Sequence, residues 1–441
     1  MSWRVETFGS LLTESKIPCE NPDSNKRIRV KLNVKGVEKR PDTNDKKGAT
    51  KQYIRKAGQF IYGKQNFHKG AFGIIPPELD GYETSADIPS FDVREDCLPE
   101  WIYYFFKAGN RYLGLTRFAR GVGSKRIHPK QIADLEIPLP PIEIQKKIIE
   151  ELKIIEKDDI STELTHQLNL VKQLRQAFLR EAMQGKLTAD WRAHSSEPIE
   201  EASELLAKIK AEKERLIKEK KIKKQKPLPP ITEEEIPFEI PENWVWCRLG
   251  EVGNLLRGKS KHRPRNDSRL FNKGKYPFIQ TGDVARSKSN SYIINSINGY
   301  YNDFGLAQST MLNKGTLCIT IAANIAEVGF LGFDACAPDS IVYFKGISEY
   351  IDKFVFYFVR DAQEEIEKYA PATSQKNINL GILNNLLIPT PPLPEQKRIV
   401  EKLDELMAYC DQLEESIKNS QSQNEMLLQQ VLREALELKK S

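Results

Sequence analysis

The stretch Ile-Pro-Leu-Pro-Pro-Ile-Glu-Ile-Gln-Lys-Lys-Ile-Ile-Glu-Glu-Leu, residues 137–152, returns at residues 388–403 as Ile-Pro-Thr-Pro-Pro-Leu-Pro-Glu-Gln-Lys-Arg-Ile-Val-Glu-Lys-Leu. Nine of the sixteen positions are identical, where roughly one would coincide by chance. Farther on, Leu179-Arg180-Glu181-Ala182 recurs as Leu432-Arg433-Glu434-Ala435. Near the starts, Arg4, Gly9, Leu11 and Leu12 align with Arg248, Gly253, Leu255 and Leu256 at an offset of 244, against 251 for the boxes. The chain is thus an internal repeat in which each unit is a globular part of variable length followed by a more uniform helical tail.

Each tail begins where prolines hold the chain extended and then release it into a helix, as Pro138, Pro140 and Pro141 do ahead of Glu143. In the second tail the apolar positions 399, 403, 406, 410, 413 and 417 alternate in steps of four and three, which is heptad spacing. Carried past Ser420 and Asn424 to Leu427, Val431 and Leu438, the seam covers about 40 residues, or roughly 58 Å of helix. The first tail runs through Ile144, Ile148, Leu152 and Ile155, slips phase between Lys157 and Thr162, and resumes at Leu164, Leu168, Val171, Leu174 and Phe178. Two such seams in one chain bury each other most simply as an antiparallel pair; the alternative is that each packs on its own globular part.

The expected fold is therefore α+β: two α/β domains separated by two long antiparallel coiled-coil helices, with an internal pseudo-twofold repeat. The expected boundaries are a first globular domain over 1–136, a first spacer helix over 137–185, a basic helix and Pro-rich linker over 186–240, a second globular domain over 241–387 and a second spacer helix over 388–441. In the linker, Leu205, Leu206, Ile209, Leu216 and Ile217 mark one side of a lysine-rich helix that ends in Pro227-Leu228-Pro229-Pro230.

The 441 residues carry a net charge of only +6, with 39% hydrophobic and 29% charged residues. No run of about 18 apolar residues could span a membrane, and Met1–Ser10 lacks a secretory signal, so a soluble cytoplasmic protein without a membrane partner is expected. The six cysteines are far apart and without ligand spacing, which signals neither disulfides nor a metal site. The small net charge conceals concentration: residues 26–56 hold 12 basic and 3 acidic side chains, residues 208–226 hold 10 and 3, and residues 257–275 hold 8 and 1. The rest of the chain is acidic. Clustered rather than diffuse positive charge suits a polyanion, although any one run also reads as solvated surface.

Residues 27–35 alternate, so a strand there would turn Ile28, Val30, Leu32 and Val34 inward and show Arg27, Arg29, Lys31, Asn33 and Lys35 outward. Lys46, Lys47, Lys51, Gln52, Tyr53, Arg55 and Lys56 follow, mixing amide and aromatic groups with charge, as base reading requires. The second globular part offers Arg257, Lys259, Lys261, Arg263, Arg265 and Arg269, then a strand at Tyr276–Ile279 running into a polar turn at Gln280–Asp283. Gly315–Ile319 echoes Gly58–Tyr62 as a buried strand entered through glycine. Before each proline box lies another polar cluster, Ser124-Lys125-Arg126 and Ser374-Gln375-Lys376-Asn377. The candidate DNA contacts are Arg27, Arg29, Lys31, Lys47, Lys51, Lys125, Arg257, Lys259, Arg263, Gln280, Lys288, Gln375 and Lys376.

Catalytic signatures are thin. There is no GxxxxGK[ST] phosphate loop, and none of the double prolines at 76–77, 140–141, 229–230 and 391–392 has the Asn or Asp and the aromatic that amino-methyltransferases place around theirs. Pro41-Asp42 with Asp45-Lys46-Lys47 only mimics a nuclease set, and the five histidines fall in no metal or triad pattern. No catalytic or metal residue is assigned.

The doubled IPxPPxxxQKxIxExL box, the Leu-Arg-Glu-Ala helix end, Gln184-Gly185-Lys186-Leu187-Thr188 and Pro241-Glu242-Asn243-Trp244 together resemble the DNA specificity subunit of type I restriction-modification systems over essentially the whole chain. The resemblance implies two target recognition domains, each reading one half of a bipartite, asymmetric site in double-stranded DNA through the major groove. It also implies two methyltransferase subunits bound along the helices, and restriction subunits that join through them. No cofactor would be bound by this chain: S-adenosylmethionine belongs to the methyltransferase partner, ATP and Mg to the restriction partner. Two alternatives stay open, a free-standing sequence-specific DNA-binding regulator without enzyme partners, and a nuclease or methyltransferase with an unrecognised site.

Overall fold

Proline keeps residues 137–141 out of helix, and in the computed structural model that extension is a strand. Glu136–Leu139 pairs antiparallel with Arg4–Thr7, Arg4 opposite Leu139 and Thr7 opposite Glu136. The second box does the same: Leu387–Thr390 pairs with Val245–Arg248, Val245 opposite Thr390. A four-residue helix follows each partner strand, Phe8–Leu11 and Leu249–Val252. The Phe8 amide donates to the Leu135 carbonyl and the Leu249 amide to the Leu386 carbonyl, both at 2.8 Å.

The structure describes residues 3–41, 50–121, 125–157, 160–195, 200–224, 226–370 and 377–436. The chain divides into two units of mixed helix and sheet, Met1–Gln167 with Ser416–Ser441, and Leu168–Glu415. In the first, a four-stranded sheet has the order Leu12–Ser15, Ser90–Val93, Phe60–Tyr62, Phe72–Ile74, and a three-stranded sheet joins Ile17–Pro18, Gln52–Ile54 and Glu83–Ser85. The helix Pro99–Lys107 buries Trp101, Ile102, Tyr104, Phe105 and Phe106 in the same core as Phe8, Phe60, Tyr62, Phe67 and Phe72. Each such ring contributes about 1.5–3 kcal/mol by leaving water. Because the rings also meet edge to face, as Phe8 meets Phe106 at 5.9 Å, the packing is specific as well as apolar.

In the second unit a five-stranded sheet runs Asn254–Arg257, Ile341–Lys345, Leu317–Thr320, Val328–Leu331, Ile293–Ile294, and a four-stranded one runs Gly299–Tyr301, Tyr276–Phe278, Ala335–Cys336, Met311–Leu312. The helix Glu349–Asp361, capped by Ser348, buries Ile351, Phe354, Val355, Phe358 and Val359. The two buried strands expected behind glycine are present, and Gly58 and Gly315 both take the left-handed φ that such an entry needs, +82° and +80°. The linker helix Ala202–Lys218 places Leu205 and Ile209 in one core with Trp244, Cys247 and Leu249.

Three expectations need correction. The alternating stretch from Arg27 is a strand only at Ile28–Val30, paired with Val37–Lys39. Asn33 and Val34 turn left-handed and Leu32 is 44% exposed, because Gly36 lets the chain close a hairpin before the alternation ends. The polar segment after Tyr276–Phe278 is not a turn but the start of the helix Thr281–Arg286, with Gln280 at its N-cap and Asp283 accepting from the Gln280 amide.

The third correction concerns the helical seams. The second tail is one helix, Leu393–Leu436, and Ile399, Leu403 and Cys410 are buried in it as the heptad requires. Beyond 417 the buried side moves by one residue: Leu427 is 60% exposed, while Leu428 and Leu432 pack inward. Two successive steps of four, through 413, 417 and 421, bring the repeat toward the 3.6 residues of a straight helix. The first tail forms the helices Ile142–Lys157 and Ile160–Met183; residues 158–159, at the expected phase slip, lie outside the described residues, as does Leu438. Ile144, expected in the seam, is 40% exposed, and its neighbour Gln145 is buried instead.

Candidate nucleic-acid interface

Within the first unit the basic side chains gather on the Ile28–Val30/Val37–Lys39 hairpin. Its tip is anchored where the Asn33 and Val34 amides donate to the Lys69 and Gly70 carbonyls, each at 2.9 Å. Arg29 and Lys31 share one carboxylate: Arg29 Nε donates to Glu38 Oε1 at 2.9 Å and Lys31 Nζ lies 2.8 Å from Oε2. Hydrogen bonds from Lys31 and Arg29 hold the Glu38 carboxyl below the usual carboxylate range. Two cations on one anion leave a net positive charge on an exposed strand, a suitable arrangement for phosphate. Arg27 is engaged differently, its guanidinium 3.2 Å from the buried Glu83 carboxylate, to which the Asp23 amide also donates.

The amide and guanidinium expected among the charges are inside the unit. Gln52 is buried. Arg55 is buried too and donates to the Thr84 and Ser90 hydroxyls and to the Ser15 and Ile88 carbonyls, tying together strands of both sheets. Burial lowers its pKa to about 10, which leaves it charged at neutral pH. Lys51 is exposed beside Tyr53, with Nζ 5.7 Å from the ring centre, and Lys125 is exposed.

In the second unit, Asp339 organises the arginine-rich loop. Arg263 and Arg265 pair with its carboxylate, and Arg257 Nε donates to its backbone carbonyl. Asp267 takes Arg269 at 2.7 Å and His262 at 2.7 Å, which hold its carboxyl far below the usual range. Lys259 and Lys288 are exposed and make no ion pair among the described residues. Gln280 is exposed at its helix start. Lys47, Gln375 and Lys376 lie outside the described residues. Thus Arg29 and Lys31 come together, as do Arg257, Arg263 and Arg265. The organising carboxylates Glu38, Glu83, Asp267 and Asp339 were missed, and Asp267, only two residues from Arg269, was the one within reach of local reading.

Among the described residues no three His, Cys, Asp or Glu side chains gather as a metal site would need, and no helix is long and apolar enough to cross a membrane.

The specificity subunit of the type I restriction enzyme EcoAI of Escherichia coli is 31% identical over 266 residues, 57% of this chain and 42% of that protein. The EcoEI specificity subunit of Escherichia coli is 31% identical over 265 residues, 56% of this chain and 42% of that protein. The chain thus spans less than half the length of these two relatives. A putative type I restriction enzyme MjaX specificity subunit of Methanocaldococcus jannaschii is 24% identical over 311 residues, 69% of this chain and 60% of that protein. Among solved structures, a chain from work on complex assembly and conformational transition of the type I R-M system shares the fold, with a TM-score of 0.61 and 17% identity over 99% of this chain and 97% of that one. The family model of the type I restriction modification DNA specificity domain matches residues 25–171 and again 241–420, so that the two matches together take in most of the sequence. The chain belongs to the type I restriction modification DNA specificity family.

Proposed function

We propose that the chain is the specificity subunit of a type I restriction-modification complex. Its two globular parts, 1–136 and 241–387, each read one half of a bipartite, asymmetric site in double-stranded DNA, and the tails at 137–185 and 388–441 are two spacer helices that hold them apart as an antiparallel coiled-coil pair with pseudo-twofold symmetry. The chain performs no chemistry. Two methyltransferase subunits supply S-adenosylmethionine and methyl transfer, restriction subunits supply the ATP- and Mg-dependent steps, and the assembly works in the cytoplasm.

The observation that carries this reading is the doubled box closing the doubled strand pair, Arg4–Thr7 with Glu136–Leu139 and Val245–Arg248 with Leu387–Thr390. Two equivalent units suit two half-sites, and unlike basic surfaces on them suit unlike sequences. The antiparallel pairing is supported by contacts of the second unit: Thr188 reaches Glu395 at 2.7 Å, whereas Arg175, earlier in the first tail, reaches Asp411 and Glu414, later in the second. Lys51, Lys125, Lys259 and Lys288, exposed and without an ion pair among the described residues, are the side chains we assign to DNA with most support from exposure; Arg29, Lys31, Arg257, Arg263 and Gln280 follow, with Lys47, Gln375 and Lys376 assigned from sequence alone, while Arg27 is held back by Glu83.

Sequencing the methylated bases of cells that carry this gene with its partner genes, and of cells lacking only this gene, tests the reading. A two-part methylated motif that disappears with the gene is expected. A free-standing regulator would instead leave methylation unchanged and bind its site alone.

A further inference from the structure

Glu395, in the first turn of the long helix, is completely buried, and everything around its carboxylate donates to it. Thr188 Oγ1 lies 2.7 Å from Oε1, with Arg192 Nη1 in contact with the same oxygen, and Trp244 Nε1 and Asn243 Nδ2 lie 2.9 and 3.1 Å from Oε2. Arg192 also donates to the Gly185 carbonyl at 2.6 Å and stacks 5.9 Å from the Trp244 ring. Gly185 has a left-handed φ of +72°, and a Cβ there would run into Pro241. One carboxylate therefore binds the segment that leaves the first tail, the segment that enters the second globular part and the start of the second tail. In the repeat, the position equivalent to 395 is Ile144, which is exposed, so the first box has no such joint.

We infer that the Glu395 joint is a positioning element: it fixes the angle at which the second globular part leaves its helix, and so sets how strictly the length of DNA between the half-sites is discriminated. This rests on the reading of the chain as a specificity subunit. A domain about 30 Å across that pivots by about 10° sweeps its far edge through about 5 Å, more than the base-pair rise of about 3.4 Å. A loosened joint therefore lets the same two base-reading surfaces meet half-sites one pair closer or farther apart. Glu395→Gln loosens it with little change of shape, because the amide presents a donor to two donors and leaves the Arg192 charge unpaired.

The test is methylation by the assembled complex of a plasmid library carrying both half-sites with spacers of every length from three pairs below to three above the natural one. For Glu395→Gln the preference for the natural spacer over its immediate neighbours falls at least tenfold, with both half-site sequences unchanged. Thr188→Val, which at constant volume removes the hydroxyl that donates to Glu395 and accepts from Arg192 while leaving the carboxylate charge in place, gives a smaller fall in the same direction and decides the matter if Glu395→Gln does not fold. Ile144→Gln, at the equivalent exposed position, leaves the preference as it was. Unaltered spacer preference in both joint variants, in complexes that assemble normally, overturns the inference. A wild-type complex that shows no two-part site of fixed spacing overturns the underlying reading instead, and needs no variant to do so.

Discussion

The same glutamine closes both boxes, yet the structure gives the two copies different work and so predicts different costs for removing them. Gln145 and Gln396 are both completely buried. Gln145 Oε1 accepts from the Leu98 amide at 2.9 Å, and its Nε2 donates to the Asp96 and Pro140 carbonyls at 2.9 and 2.8 Å. Gln396 Nε2 donates to the Pro391 carbonyl at 2.8 Å, and its Oε1 has no partner among the described residues. Substitution by Met keeps the volume of either side chain. At about 1 kcal/mol for each of the two bonds donated to carbonyls, and about 1–3 for the Leu98 amide left without an acceptor, Gln145→Met costs about 3–5 kcal/mol. Gln396→Met loses one bond but also removes a buried oxygen that was already unpaired, so the terms nearly cancel. With a denaturant slope of about 2 kcal/mol per molar urea, the first variant lowers the unfolding midpoint of its unit by about 1.5–2.5 M and the second by less than about 0.5 M. Urea titration read by hydrogen exchange of peptides from each unit measures both, and the Leu98 amide of Gln145→Met should lose its protection first. Equal losses in the two variants, or the larger loss at Gln396, would refute the assignment.

Three further outcomes follow from other parts of the molecule. Because Arg175 grips Asp411 and Glu414, seven residues inserted near Asn169 need seven matched after Lys418; together they add about 10 Å of helix and should lengthen the preferred spacer by about three base pairs, read by methylome sequencing, with both half-sites unchanged. Lys288→Ala should weaken DNA binding evenly across sequences and flatten the dependence of log affinity on log salt by about one unit, whereas Arg269→Ala, whose charge is already bound by Asp267, should change that slope less in the same titration. Burial raises the Asp361 carboxyl from its ordinary 3.8 to about 6, so the folded second unit holds that proton more tightly than the unfolded chain, and stability should rise as pH falls from about 6 toward 4. Asp361→Asn, which keeps an acceptor for Gln176, should stabilise the unit at pH 7.5 by up to about 3 kcal/mol and remove that pH dependence in thermal melts.

What was legible in the sequence was written in residues whose backbone chemistry admits few choices. Proline at 138, 140 and 141 permits a strand and then a helix start, and the paired strands are found there. Of the heptad positions through 417, Ile399, Leu403 and Cys410 are buried and Leu406, Leu413 and Ile417 half-buried. The pattern failed at Leu427 and Ile144 because the identity of an apolar residue does not say which side of a helix has a neighbour. The alternation from Arg27 outruns the strand, since Gly36 and the left-handed Asn33 and Val34 end it early. The candidate DNA contacts were the least legible part: Arg27 is taken up by Glu83 and Arg263 by Asp339, carboxylates far away in the chain, and no local pattern announces such partners. Glu395 was hidden for the same reason, its donors lying 151 to 207 positions upstream.

The strand pairs that close the two units bring the beginning and the end of each globular part side by side, Arg4 opposite Leu139 in one and Val245 opposite Thr390 in the other. A segment whose ends already touch can be lifted out of a gene and replaced without altering the distance that the rest of the chain must bridge. The seven-residue difference between the offsets of 244 at the starts and 251 at the boxes fits that geometry, since length gained or lost between two clamped ends stays inside the segment. On the proposed reading, one such replacement changes what is read at one half-site and leaves the helical tails as they were.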